Sequence, residues 1–400
     1  MNRPFTTPAR QGRAVMGITS TLILGLGLAQ GCVGDPGPTL AMARKQVRQV
    51  LPDADLSGVD AEVWIYDSQA ETKRNLAAEA LSYPFARKIL REQGEVFTRL
   101  GLIKKGEQPL ETLIGRHATV PAFVVPSESL ILVRPQVVER IDILSHELGH
   151  IASFRAGYWN RAAPYLWLHP QKVLDPSWVN LDAYIAAWAM EEGTAEYTAI
   201  ASRAADEGET STQMLAWLRQ GALSPRILGP LSIRITQFAY GDGPRYISHA
   251  TPPTPGLRSK LDEAWSRFSG TTREILDPAL TPLPSELAGR IRERFDVLDP
   301  KPLRATRIGS FLLFQSLSRL DGFAVEPGAG YARALVDDVF LSWGSGRQLW
   351  ITRWPDAETG RRFIADFRRV APDLRVLREG ADVVLGWNVT SENAPSVLLP

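Results

Sequence analysis

The sequence predicts an α+β fold. It has a mixed sheet with an edge strand beside a long helix, a mainly helical part after it, and a small α/β unit at the C-terminus. Three observations carry this. Ala61-Glu62-Val63-Trp64-Ile65-Tyr66 alternates small or polar with large apolar residues, and two β-type runs, Thr119–Val125 and Ser129–Val133, follow among Pro121, Pro126 and Pro135. From Val137 the period changes to 3.6, with Val138, Ile141, Leu144, Leu148 and Ile151 on one stripe. Pro300 and Pro302 then separate a helix-rich stretch from a segment that reads helix, hairpin, helix and strand pair.

In chain order, residues 1–31 read as a secretory signal. Arg3, Arg10 and Arg13 precede an uncharged stretch from Ala14 to Gly34, whose apolar core between Ile18 and Ala29 is shorter than the roughly 20 residues of a spanning helix. The stretch runs through Leu28-Ala29-Gln30-Gly31-Cys32, and Cys32 is the chain's single cysteine. This segment resembles the bacterial lipobox, which implies lipidation of Cys32 and an anchor in the cell envelope; the alternative is plain secretion. Val33 stands where an inner-membrane retention signal has aspartate, which favours the outer membrane in an organism with two. Without residues 1–31 the formal charge falls from +1 to −2. Neither value is the footprint of a nucleic-acid binder.

Residues 32–58 read as a tether with a short basic helical piece near Ala43–Val50, and 59–135 as the N-terminal α/β part, with a helix over Leu76–Leu102. Residues 136–298 form the mainly helical part. An aromatic- and proline-rich segment, Tyr158–Trp178, holds Trp159, Tyr165 and Trp167 and is either a cleft wall or core. Asn180 or Asp182 caps the next helix, which runs to about Ala205. Further helices are expected at Ser211–Gln220, Ile233–Ser248, Leu257–Phe268 and Pro284–Phe295. Residues 299–400 form the α/β unit: a helix at Ala305–Leu320, a hairpin of Val339–Trp343 and Gln348–Trp354, a helix at Asp356–Val370 and a strand pair.

The chemistry concentrates in Ser145-His146-Glu147-Leu148-Gly149-His150, a His-Glu-x-x-His pattern on the long helix. Positions i and i+4 share a helix face, so both imidazoles can meet one ion. Glu147 projects about 100° further round and can reach a water on that ion without ligating it. Zinc lowers the pKa of such a water toward 7, and a carboxylate beside it can take the proton. A catalytic zinc needs a third protein ligand and one open position. The donor lies within Met190-Glu191-Glu192-Gly193-Thr194-Ala195-Glu196-Tyr197, with Glu192 forty-two residues after His150.

With the Glu192-Gly193-Thr194-Ala195 run the chain resembles the gluzincin superfamily of zinc peptidases, over about residues 119–200 and more weakly to 280. The resemblance implies one zinc per chain held by His146, His150 and Glu192, with Glu191 the rival ligand. It also implies that Glu196 accepts a hydrogen bond from a ligand histidine. A Tyr or His from the region around Phe238-Ala239-Tyr240-Gly241-Asp242-Gly243, Tyr246 and His249 is implied to stabilise the oxyanion. Tyr246 and His249 stand beside Glu147 as the expected catalytic residues, with Tyr240 the alternative. Gly270-Thr271-Thr272-Arg273-Glu274-Ile275-Leu276-Asp277-Pro278 resembles a run in secreted members that has histidine where this chain has Asp277. Two departures are plain: the gap from His150 to Glu192 is longer than in thermolysin-like enzymes, and the Gly-x-Met-Glu-Asn exopeptidase motif is missing. His117 and His169 have no partnered motif. The expected function is hydrolysis of peptide bonds in a peptide or protein substrate, the edge strand Ser129–Val133 aligning it. The alternatives are a catalytically silent zinc-binding envelope module, or hydrolysis of another envelope amide.

Overall fold

A computed structural model describes residues 34–64, 94–104, 120–125, 128–162, 178–210, 231–251, 255–280, 286–294, 304–318, 325–343 and 346–389, with positions 213, 214, 216, 218, 298 and 302 between them. It is a mixed α+β structure with two sheets. The expected signal segment and Cys32 lie outside the described residues, as do His117, His169, Tyr165, Trp167 and most of the helices expected at Leu76–Leu102 and Ser211–Gln220. No helix among the described residues is long and apolar enough to cross a membrane.

The stretch expected to be a tether is a packed helix, α1 (Gly37–Val50). Leu40, Ala43 and Val47 lie on one side of it and are buried, and they join the main core. This i, i+3, i+7 apolar spacing outweighs the basic residues: Lys45 and Arg48 are exposed, and Arg44 is half-buried, its guanidinium donating to the Val59 carbonyl at 2.6 Å.

The first sheet has three strands in the order β1 (Asp60–Val63), β3 (Leu130–Val133), β2 (Ala122–Val125). β1 runs parallel to β3, with Ala61 opposite Ile131, and β2 antiparallel to it, with Phe123 opposite Leu132. The expected edge strand is therefore the central one. Leu-Ile-Leu-Val has none of the charges or prolines that blunt an edge, and its uninterrupted apolar run suits a strand paired on both sides. Among the described residues β2, next to Pro121, is an edge.

Behind this sheet lies α2 (Ile141–Arg155), entered through a 3-10 turn at Pro135–Val137. Its residues from Ile143 to Ser153 are all buried, so the stripe read from the sequence is only part of a helix enclosed on every side. The short helix α3 (Tyr158–Ala162) follows, with Tyr158 buried in the core and Trp159 packed against it. β4 (Trp178–Asn180) leads directly into the 26-residue α4 (Leu181–Asp206), where the Asn180 side chain accepts a hydrogen bond from the Ala183 N–H. Small residues along α4, among them Ala186, Ala187, Ala189, Gly193 and Ala195, let α2 and α1 approach it closely.

The helix expected at Ile233–Ser248 is split: α5 (Leu231–Gln237), a π-helical turn at Phe238–Asp242, and α6 (Gly243–Ser248). Then come α7 (Leu257–Arg267), α8 (Thr272–Leu276) and α9 (Glu286–Arg294). The Thr271–Glu274 part of the noted run is a capping box at the start of α8, a structural role for these residues.

The second sheet orders its six strands β4, β5 (Arg304–Arg307), β6 (Asp337–Ser342), β7 (Gln348–Arg353), β9 (Asp382–Trp387), β8 (Arg375–Arg378). The predicted hairpin is β6–β7, with Phe340 opposite Trp350. The helix expected at Ala305–Leu320 begins only at Gly309, as α10 (Gly309–Leu317), because its first residues are β5. Gly309 has φ +76° with the Asp182 side chain where a Cβ would sit, so a residue other than glycine is excluded there. α11 (Val325–Ala334) follows α10. Phe363 and Phe367 of α12 (Ala357–Phe367) pack on Trp350 on one face of the sheet, while Leu287 and Ile291 of α9 join Val339, Leu341 and Ile351 on the other. Both faces are thus covered.

The unit expected over residues 299–400 shares a sheet with the helical part. β4, from the helical part, pairs in parallel with β5, and Arg307 sits buried among Asp182 at the start of α4 (3.8 Å), Asp337 (3.2 Å) and Asp338 (4.0 Å). Pairing across the proline-marked break is decided by the fold.

Candidate metal centre

α2 and α4 pass each other in backbone contact. A Cβ on Gly149 would lie 2.8 Å from the Ala195 Cα. On the opposite side of α4, a Cβ on Gly193 would lie 2.5 Å from the Gly243 carbonyl carbon. Two glycines of the motifs are therefore set by helix packing, and that packing places the side chains beside them face to face.

His146, His150 and Glu192 meet there, each offering one ligand atom, all within 4.8 Å of one another. The two Nε2 atoms are 3.1 Å apart, and Glu192 Oε2 lies 3.5 Å from His146 Nε2 and 3.6 Å from His150 Nε2. Ligands at 2.0–2.1 Å from a tetrahedral zinc are about 3.3 Å apart, so these atoms already have the spacing of three corners. All three residues are buried. Glu192 Oε2 is a buried carboxylate oxygen that takes no hydrogen bond, an arrangement costly without a cation. The residues present fit a divalent metal.

Each ligand has its own partner on α4. The other ring nitrogen of His146, Nδ1, lies 3.0 Å from Glu196 Oε2, and that of His150 lies 3.6 Å from Glu191 Oε1. Glu191, the rival for the third ligand position, thus faces the far side of His150 and leaves the ligand position to Glu192. With Nδ1–H directed at a carboxylate, Nε2 is left to face the ion. Glu192 Oε1 accepts a hydrogen bond from Trp188 Nε1 at 2.8 Å. Trp188 is not among the candidates that sequence motifs supply, and the one signal for it is its position a turn before Glu192 on the same helix face.

The electrostatics favour positive charge at this point. Burial works against a charged imidazole, but the Glu192 and Glu196 carboxylates and the charge of Glu147 outweigh it and push His146 up to about 10. Burial likewise opposes a charged His150, while Glu191 and Glu192 push it up to about 9. For Glu192 burial alone would raise the pKa, yet the two histidines pull it down to about 2. Burial raises Glu191 above its ordinary value, against the pull of His150.

Comparison of the chain with protein-family models, with curated proteins and with solved structures finds no match in any of the three. The site rests on its own geometry.

Glu147 is fully buried on α2 beside His146. Of the three residues expected to serve the oxyanion, Tyr240 makes a ring contact with His146. Tyr240, on the π-helical turn, stacks on the His146 ring with centroids 5.4 Å apart and planes at 15°. A π turn adds a residue to the helix and re-aims the side chain it carries, and such turns cluster at functional sites. Tyr246 instead directs its hydroxyl to Glu274 of α8 at 3.4 Å, with burial and the Glu274 charge holding its pKa well above the ordinary tyrosine value. His249 is an exposed residue at the C-terminus of α6. Tyr240, the alternative of the three, is thus the one seen stacked on a histidine of the candidate site.

Proposed function

We propose that the chain is a zinc-dependent hydrolase of peptide bonds, built on a gluzincin-like pairing of α2 and α4. The observation that carries this reading is the convergence of three buried ligand atoms at tetrahedral spacing with a buried glutamate, Glu147, one residue after the first of them. His146, His150 and Glu192 would hold the ion. Zinc bound there would supply a Lewis acid that lowers the pKa of water and polarises a carbonyl. Glu147 would take the proton from the attacking water and return it to the leaving nitrogen. Tyr240, by its place against His146, would donate to the developing oxyanion. Glu196 and Glu191 would keep the two imidazoles in the tautomer the ion requires. An extended substrate would add to the edge strand β2, which packs next to α2, rather than to the central β3. The location that goes with this reading is the cell envelope, through the signal segment and Cys32.

The test is a pair of measurements on the full-length mature protein. The wild type should carry one zinc per chain and cleave members of a peptide panel. Glu147→Gln should keep the zinc and lose about 10²- to 10⁴-fold in turnover, the usual weight of a general base. Unchanged turnover in that variant would refute the role of Glu147. Stoichiometric zinc with no cleavage of any peptide by the wild type would favour a silent zinc-binding module.

A further inference from the structure

We propose that Trp188 is a positioning residue that confines Glu192 to one-oxygen coordination of the metal and so keeps a position open. The inference rests on the metal-site reading above and concerns how the third ligand is held. A carboxylate has two equivalent oxygens, and a glutamate beside a divalent ion can bind through either or both. Here the two are already differentiated. Oε1 accepts from the Trp188 indole at 2.8 Å, one helical turn back on α4. Oε2 takes no hydrogen bond and stands 3.5 and 3.6 Å from the two Nε2 atoms.

The choice of tryptophan suits this task. An indole N–H donates and never accepts, so it engages a carboxylate oxygen without competing for the metal. Trp188 is 9% exposed and Glu192 1% exposed, so neither bond partner is easily replaced by solvent. A buried indole N–H that lost this acceptor would be left unsatisfied, which holds the bond in place whether or not the ion is bound. If Oε1 instead swung onto the ion, four protein donors would surround it, and a four-coordinate site would have no room for water. With Glu196 on His146 and Glu191 on His150, Trp188 completes a set in which every ligand is oriented by a residue of α4.

The variant that isolates the hydrogen bond is Trp188→Phe, which keeps an aromatic ring and removes the donor. Cobalt(II) is the probe, because its visible absorption reports ligand number independently of catalysis. Wild type and variant should each bind one cobalt per chain. The variant's visible band should weaken and shift as the second oxygen joins, and its zinc Kd should rise about 10- to 100-fold, as for other partners of metal ligands. Identical cobalt spectra in the two proteins would overturn the role of Trp188 while leaving the metal site intact. Failure of the wild type to bind cobalt or zinc would overturn the site itself. Should Trp188→Phe not fold, a crystal structure of the zinc-loaded wild type decides the matter. Ligation through Oε2 alone supports the proposal, and ligation through both oxygens overturns it.

Discussion

Gly193→Ala adds one methyl group beside Glu192, at a point where the fold has no space for it. The new Cβ would stand 2.5 Å from the Gly243 carbonyl carbon, 2.8 Å from the Gly243 Cα and 2.9 Å from the Pro244 nitrogen, against the 3.4 Å at which ordinary contact begins. All three neighbours are backbone, so no change of rotamer relieves them, and α6 must retreat from α4 by about 0.9 Å, the difference between 2.5 and 3.4 Å. α4 cannot yield the other way, because it already touches the α2 backbone where Gly149 meets Ala195. Overpacking costs about 1–3 kcal/mol, and an unyielding backbone places this case at the upper end. Alanine recovers about 1 kcal/mol of helix propensity. The net expectation is a loss of about 2 kcal/mol. Gly289→Ala is the control: it lies exposed on α9 with nothing within 4 Å of its Cβ, so it should gain the propensity alone, about 1 kcal/mol. Urea unfolding of the two metal-free variants should therefore shift the midpoint in opposite directions at similar m-values. If Gly193→Ala unfolds at or above the wild-type midpoint, the close passage of α4 and α6 is wrong, and with it the account of why glycine follows the third ligand.

Glu196→Gln and Glu191→Gln should each weaken zinc binding about 10- to 100-fold without abolishing it, read by competition with a chromophoric chelator; Glu192→Ala should abolish stoichiometric binding in the same assay. Tyr240→Phe should retain zinc and lose about 10²- to 10³-fold in turnover, the usual cost of one oxyanion donor, whereas Tyr246→Phe should leave turnover near wild type, and the reverse ranking would return the role to Tyr246. Arg307→Leu should cost about 3–5 kcal/mol at pH 7.5, because it strands the buried Asp182, Asp337 and Asp338 without their cation. Burial raises the Asp338 pKa to about 6 from its ordinary 3.8, even with Arg307 pulling it down. A raised acid contributes stability that is full below 3.8 and lost as the pH climbs through 6, so the ionised form is the strained one. The defect in Arg307→Leu should accordingly shrink as the pH falls below about 6, and a penalty that grows toward acid would contradict this account of the cluster.

Local patterns make several elements legible in the chain alone. The 3.6 period finds α2, a cap at Asn180 or Asp182 starts α4, the run Gly344-Ser345-Gly346 marks the β6–β7 hairpin, and alternation finds β1, each set by residues within a few positions of one another. Elements whose identity depends on distant partners escape such patterns. Leu130–Val133 reads as an edge strand because nothing in four apolar residues says which strands flank them. α1 reads as a tether because its buried face has meaning only with α2 and α4 beside it. Ala305–Arg307 reads as the start of a helix, and belongs to a strand because β4 and β6 offer it hydrogen bonds on both sides.

The site divides in the same way. Two histidines at i and i+4 share a helix face by geometry alone, so spacing is enough to pair His146 with His150 and to set Glu147 as their neighbour. Glu192 and Glu196 are reached through a resemblance, since no local rule relates residue 150 to residue 192. The choices between Glu191 and Glu192, and among Tyr240, Tyr246 and His249, belong to the tertiary structure. Adjacent residues on a helix differ by about 100° in direction, and which direction meets the histidines depends on how α4 lies against α2. That orientation is decided by backbone contacts at Gly149 and Gly193. The order of residues thus dictates which donor types are present and which of them share a helix face. The packing of α2 against α4, and the π turn that brings Tyr240 onto His146, select which of them meet, because direction in space is a property of the whole core and not of any one segment.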